Sequence, residues 1–210
     1  MLHAMALIED CTGVLLAGGR AKRLGGIPKG LLRVEGEPIA ARSLALLRGL
    51  FAEVLLVTST PADYAALGAA LDVVTVPDLL TGRGAPGGLH AALSAARTGW
   101  VFAAACDMPF LAEAPIRLLA AQRAGVSAVL VRAGGRLEPL HALWSRACLA
   151  PLAGLLADAG ARPSLRALAA AVPARIVEEA AFRAADPEGR ALSNVNTPEE
   201  AARLGLTAPS

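Results

Sequence analysis

This 210-residue chain is poor in aromatics, at 3% of residues, and nearly free of lysine. A scarcity of aromatic rings argues against a stacking surface for single-stranded nucleic acid. The formal net charge is only +2, with no basic block, so no electrostatic footprint for a polyanion is evident. Three cysteines, Cys11, Cys106 and Cys148, lie far apart and form no C-x-x-C pair. That excludes a disulfide frame and a structural zinc site, and points to a reducing cytoplasm. No apolar run approaches the roughly 18 residues that a membrane span needs. Residues 1–10 have neither the charged start nor the apolar centre of a signal peptide. His3, His90 and His141 show no metal-ligand spacing, and G-x-S-x-G is missing.

What the chain does have is 55% hydrophobic residues, 18% charged residues, 21 Gly and 14 Pro. This is the composition of a globular, turn-rich protein. A length of 210 residues fits about one domain that needs no covalent staple. The expected division is an N-terminal segment over 1–11, one domain over 12–204 and a tail over 205–210. Of 20 basic residues only Lys22 and Lys29 are lysines, and both fall in one Gly-rich stretch. Against an arginine-rich background, two neighbouring lysines hint at a place that wants a compact ammonium.

Short apolar runs alternate with helical patterns. Strands are expected at 13–17, 54–57, 73–76, 100–106, 127–131, 137–143 and 174–177. Helices are expected at 38–50, 62–71, 89–97, 113–124 and 146–156. The alternation predicts an α/β fold, with a mostly parallel central sheet flanked by helices. Ligands of such sheets bind at the carboxyl ends of the strands. The loops expected there are 18–30, 78–88 and 107–110.

The first loop places Gly18, Gly19, Gly25 and Gly26 among Arg20, Lys22, Arg23 and Lys29. Glycines let backbone N–H groups turn toward an anion, and the cations add charge. The loop is neither a Walker A sequence nor a G-x-G-x-x-G fingerprint. Its density of cations and glycines favours a phosphate cradle over a solvated turn. Asp107 ends the fourth strand, where a carboxylate beside phosphates calls for a bridging Mg²⁺; a turn or helix-capping role is the plainer reading. Asp78 is either a turn residue or an acceptor for a base or ribose hydroxyl. Thr197, Pro198 and Glu200 form a capping box. Asn194 and Asn196 are not needed for that cap. Two residues apart on an extended segment, they share a face and offer neutral oxygens to a metal or phosphate.

Taken together, Leu16-Ala17-Gly18-Gly19 through Arg23, Gly25 and Lys29 resembles the signature loop of nucleotidyltransferases with a GT-A-like Rossmann fold. The double glycine, Ala85 to Leu89, Cys106 to Pro109, Pro139 to Leu143 and Asn194 to Glu200 resemble the molybdenum cofactor guanylyltransferase family (MobA-like). The resemblance covers residues 12 to 204. It implies transfer of GMP from GTP to the terminal phosphate of molybdopterin, with Mg²⁺ and release of pyrophosphate. It implies that Leu16, Ala17, Gly18, Gly19, Lys29, Thr58, Asp78 and Asp107 bind GTP. Arg23, Lys29 and Asp107 would be catalytic, with Asp107 on the metal. Asn194 and Asn196 would lie on the pterin and phosphate side, and Arg83 and Arg162 are looser candidates there. Other proteins of the same biosynthesis are implied as partners, with no nucleic acid and no membrane.

Three positions depart from the family pattern: Thr58 where Asn is frequent, Pro28 before Lys29, and His141 where an aromatic is frequent. A molybdopterin cytidylyltransferase, a sugar-phosphate nucleotidyltransferase and a non-catalytic nucleotide-binding module on the same fold remain as other readings.

Overall fold

The apolar runs pair into one sheet. In the computed structural model, residues 6–18, 20–21, 26–78, 80, 82–158 and 162–208 are described, residues 20 and 21 by their backbone only. Seven strands build the central sheet: β1 (Cys11–Leu16), β2 (Glu53–Thr58), β3 (Val74–Pro77), β4 (Trp100–Ala105), β5 (Ala128–Ala133), β6 (Arg136–Ser145) and β7 (Ala174–Val177). Their spatial order is β7-β5-β6-β4-β1-β2-β3. Every neighbouring pair is parallel except those made by β6, which runs antiparallel to both β4 and β5.

Register sets where a ligand can sit. Leu16 of β1 lies between Val57 of β2 and Ala105 of β4, so three central strands end level. The loops after Leu16, Thr58 and Ala105 therefore leave from one edge. This is the place where open parallel sheets bind ligands.

Strand alternation divides the interior into two layers. Leu15 and Ala17 face α1 (Ile39–Leu50), α2 (Pro61–Ala70), α4 (Glu113–Ala120) and α7 (Glu179–Ala185), packing with Leu44, Tyr64, Ile116 and Phe182. Val14 and Leu16 face α3 (Gly84–Ala95), α5 (Leu149–Ala157) and α6 (Leu165–Ala171), packing with Leu89, Leu152 and Leu168. Each fully buried Leu contributes roughly 1.5–3 kcal/mol relative to exposure. Gly13 admits the closest packing on β1. A Cβ there would stand 2.6 Å from the Phe51 ring.

A third, smaller cluster joins distant parts of the chain. Leu32, Val34 and Ile39 pack with Val195 and with Ala201 of α8 (Pro198–Arg203). Leu206–Thr207 pairs with Arg33–Val34, which pairs in turn with Glu37–Pro38. The segment carrying Lys29 is thereby tied to the segment carrying Asn194 and Asn196.

Three details differ from the sequence expectation. Helix α3 begins at Gly84, inside the stretch 78–88 expected as loop. Pro86 does not oppose this, because the first turn of a helix needs no N–H there. Helix α4 stops at Ala120, and residues 121–124 form a turn. Helices α6 and α7 were not expected. Ser164 caps α6 through its side chain, which accepts from Ala167 N at 3.1 Å, so a start signal was present.

Candidate active site

The level strand ends open into a cavity of about 500 Å³, within the range of a small-molecule site. Leu16, Val57 and Leu140 give it an apolar wall, and Lys29, Asp78 and Asp107 give it charge. The side chain of Lys29 reaches Asp107 across the end of the sheet. Its Nζ stands 2.8 Å from Asp107 Oδ2 and 2.6 Å from Asn196 Oδ1. The ammonium and carboxylate are largely enclosed, with side-chain exposures of 18% and 19%. Solvent screening is therefore weaker than for a surface pair.

Local structure explains how these three groups meet. Lys29 opens a single 3₁₀ turn, in which Leu32 N donates to Lys29 O at 3.1 Å. Asp107 is separated from the end of β4 by Cys106 alone, and its carbonyl accepts from Val195 N at 3.0 Å. Val195 is wholly buried, and exposed Asn196 follows it. Glu200 Oε2 accepts from Asn196 N at 2.6 Å and from Thr197 N at 3.1 Å. Thr197 Oγ1 accepts from Glu200 N at 3.2 Å. The capping box expected from sequence thus also fixes the backbone of Asn196.

Asp78 stands at the other end of the cavity, just past β3. Its Oδ1 accepts from Leu80 N at 3.1 Å. Burial pushes its carboxyl above the ordinary range, partly opposed by the Leu80 N–H and by His90. Gly87 lets α3 approach it closely, since a Cβ there would stand 3.1 Å from Asp78 Oδ1. Thr58 lines the cavity, but its hydroxyl is committed. It donates to Ala17 O at 3.0 Å and accepts from Thr60 N at 3.1 Å. The N–H of Ala17 donates to Val57 O at 2.7 Å; Ala17 is buried in the core and does not line the cavity. Leu16 and Gly18 line the cavity directly.

Gly19, Lys22 and Arg23 lie outside the described residues, as does the side chain of Arg20. Asn194 is half-buried and does not line the cavity. Arg83 stands at the N-cap of α3, and Arg162 is exposed; neither lines the cavity. Ser59 and Leu140 were missed from sequence. Ser59 had a usable signal, because it follows a strand that ends at the ligand edge.

His141 belongs to the core. It is wholly buried and edge-on to Phe102 at 5.3 Å and Phe182 at 5.4 Å between ring centroids. Neither ring nitrogen is hydrogen-bonded, and burial lowers its pKa to about 4, with Asp186 opposing. It packs as an aromatic would. Cys106 is also buried, and its thiol is pushed up to about 12, chiefly by burial. It stays neutral and is no nucleophile. Among the described residues, no group of three or more His, Cys, Asp or Glu is placed to hold a metal. Among them, too, no helix is long and apolar enough to cross a membrane.

The mostly parallel sheet thus carries a lysine–aspartate pair at the edge where such sheets bind ligands. Residues 13–172 match the MobA-like NTP transferase domain, and the chain belongs to that family. It is 32% identical over 194 residues to the molybdenum cofactor guanylyltransferase of Desulfosudis oleivorans, covering 92% of this chain and 93% of that one. It is 35% identical over 193 residues to the molybdenum cofactor guanylyltransferase of Pseudomonas putida KT2440, covering 91% and 96%. The structure of molybdopterin-guanine dinucleotide biosynthesis protein A from Archaeoglobus fulgidus superposes with a TM-score of 0.79 at 23% identity, covering 92% of this chain and 96% of that one. Rv0371c from Mycobacterium tuberculosis, solved as a manganese complex, superposes with a TM-score of 0.64 at 24% identity, covering 92% and 97%.

Proposed function

We propose that this chain transfers GMP from GTP to the terminal phosphate of molybdopterin and releases pyrophosphate. The observation that carries the reading is the Lys29–Asp107 pair at the mouth of a nucleoside-sized cavity. It is joined by family membership and by relatives that bear this activity in their names.

An oxygen of the molybdopterin phosphate attacks the α-phosphorus of GTP. A new P–O bond forms there, and the bond from the α-phosphorus to the bridging oxygen of the β-phosphate breaks. The attacking phosphate is already ionised near neutral pH, so no general base is needed. The barrier is the meeting of two anions. Lys29 binds the phosphates and balances the charge that grows on pyrophosphate. Arg23 and the backbone around Gly18 and Gly19 assist in the same loop. Asp78 accepts from N1–H and the 2-amino group of guanine, which selects that base. Leu16, Val57 and Thr58 shape the nucleoside wall. Asn194 and Asn196 stand on the acceptor side.

The donor set suits Mg²⁺. Asp107 Oδ2 and Asn196 Oδ1 already converge on the ammonium of Lys29, a cationic point between two oxygens. One carboxylate, with water and phosphate oxygens, is the usual environment of Mg²⁺. Held by Asp107, the ion would supply charge neutralisation at the α-phosphate. The enzyme is cytoplasmic on this reading. Its substrates are small anions, supplied and consumed by other proteins of molybdenum cofactor biosynthesis, without nucleic acid or membrane.

The test supplies purified protein with molybdopterin, Mg²⁺ and α-labelled GTP. The expected result is label in a pterin dinucleotide with matching pyrophosphate. Labelling from CTP instead, or from no nucleotide, would contradict the proposal.

A further inference from the structure

Tyr64 lies on α2 and is wholly buried. Its hydroxyl makes no hydrogen bond of good geometry and has only weak interactions with the Gly30 backbone and the Cys106 thiol. A buried hydroxyl left in this way costs stability relative to a plain ring, so a position that only fills space would favour Phe. What the oxygen faces is a seam between two residues. One is Gly30, which follows Lys29. The other is Cys106, which precedes Asp107. Tyr64 and Cys106 are close enough to influence each other's ionisation.

Gly30 is buried in a tight seat. A Cβ on it would stand 3.0 Å from Tyr64 Oη, 3.2 Å from Ala40 Cβ and 3.2 Å from Cys106 Cβ. These contacts come from α2, from α1 and from the end of β4. Two of them are Cβ atoms, which no side-chain rotation can move aside. Cys106 is further fixed to the sheet, its N–H donating to Leu16 O at 3.1 Å. Close approach, rather than a left-handed backbone, is therefore what requires glycine here.

We propose that Tyr64 and Gly30 are positioning residues for nucleotidyl transfer. The Tyr64 hydroxyl, Ala40 and Cys106 form a three-sided seat for Gly30. That seat sets the main chain of Lys29 against the strand end of Asp107, so that ammonium and carboxylate address the same phosphate. This inference rests on the reading of Lys29 and Asp107 given above. An error of about 1 Å in such a constellation costs on the order of 10²-fold in rate. A seat that fixes tenths of an ångström therefore acts on turnover more than on fold.

The experiment compares wild type, Tyr64→Phe and Gly30→Ala by steady-state kinetics and thermal unfolding, using the nucleotide that the wild type accepts. Both variants should lose about 10-fold or more in kcat while KM for the nucleotide moves by less than about twofold. Tyr64→Phe should melt at or above the wild-type temperature. Should Gly30→Ala fail to fold, Tyr64→Phe decides alone. Wild-type kcat in an active Tyr64→Phe, or a loss that only tracks a lower melting temperature, overturns the inference and leaves the function standing. A wild type that transfers no nucleotide overturns both.

Discussion

Lys29 Nζ and Asp107 Oδ2 meet at 2.8 Å although 78 positions separate them in the chain. Their side chains are about four-fifths enclosed, yet both face the cavity. In the proposed reaction the pair serves as a charged contact for phosphate. Asp107→Ala should reduce turnover nearly to nothing. Lys29→Ala should reduce it about 10²-fold or more, by comparison with other lost transition-state donors. Steady-state rates of the two variants, with folding verified by circular dichroism, check this. Wild-type-like rates in both would remove the pair from the chemistry.

Asp78 should govern the choice of base. Asp78→Ala should lower the preference for GTP over CTP more than it lowers turnover with saturating GTP. Burial raises its carboxyl above the ordinary value of 3.8. Protonation therefore begins at a higher pH than for an exposed aspartate and removes an acceptor from the guanine site. KM for GTP should rise as pH falls through that raised value, and the rise should vanish in Asp78→Asn. For stability the sign is opposite to that of a salt-bridged aspartate. The contribution is greatest below 3.8 and declines as pH rises through the raised value. Asp78→Asn should thus lose no stability near neutral pH, which a urea titration measures.

His141 makes the fold acid-sensitive. Its pKa is about 4 in the folded chain against an ordinary 6.5, because burial disfavours the charged ring. Between those values the unfolded chain binds a proton that the folded chain refuses. Stability should therefore fall as pH drops from 6.5 toward 4, by on the order of 3 kcal/mol in total. His141→Phe should remove most of this slope while keeping the contacts to Phe102 and Phe182. Urea midpoints taken across that pH range test it, and an unchanged slope in the variant would exclude His141 as its source.

The capping box links stability to the site. Thr197→Ala should cost about 1 kcal/mol, the usual value for a lost N-cap. For a chain of this size that is roughly 2–4 °C in melting temperature. Glu200→Ala releases the backbone N–H groups of Asn196 and Thr197 together. It should also lower turnover by weakening the hold of Asn196 on Lys29. Melting curves and rates of the two variants separate the effects.

The strands were legible because a strand buried on both faces reads as a plain apolar run. GVLLA around β1 and WVFAAAC around β4 are of this kind. Asp107 and Asp78 stood out as charged residues at the ends of such runs, and Lys29 as one of two lysines in a Gly-rich stretch. The meeting of Lys29 with Asp107 was not legible. It depends on Val34, Val195 and Ala201 packing together and on Leu206–Thr207 pairing with Arg33–Val34, which are long-range contacts of short segments. Tyr64 gave no signal either, since one Tyr in an alanine-rich helix reads as core. Only the tertiary fold brings it to the seam beside Gly30. Thr58 shows the converse. Its position at a strand end is legible, but the commitment of its hydroxyl to Ala17 and Thr60 is not.

The proposed transfer requires a guanine nucleotide held with a metal on Asp107. Calorimetric titration of GTP, CTP, ATP and UTP into wild type and Asp107→Ala, with and without Mg²⁺, tests it most directly. The expected result is preference for GTP, tightened by Mg²⁺ in the wild type and not in the variant. Preference for CTP, no binding of any of the four, or a Mg²⁺ effect that survives in Asp107→Ala would contradict it.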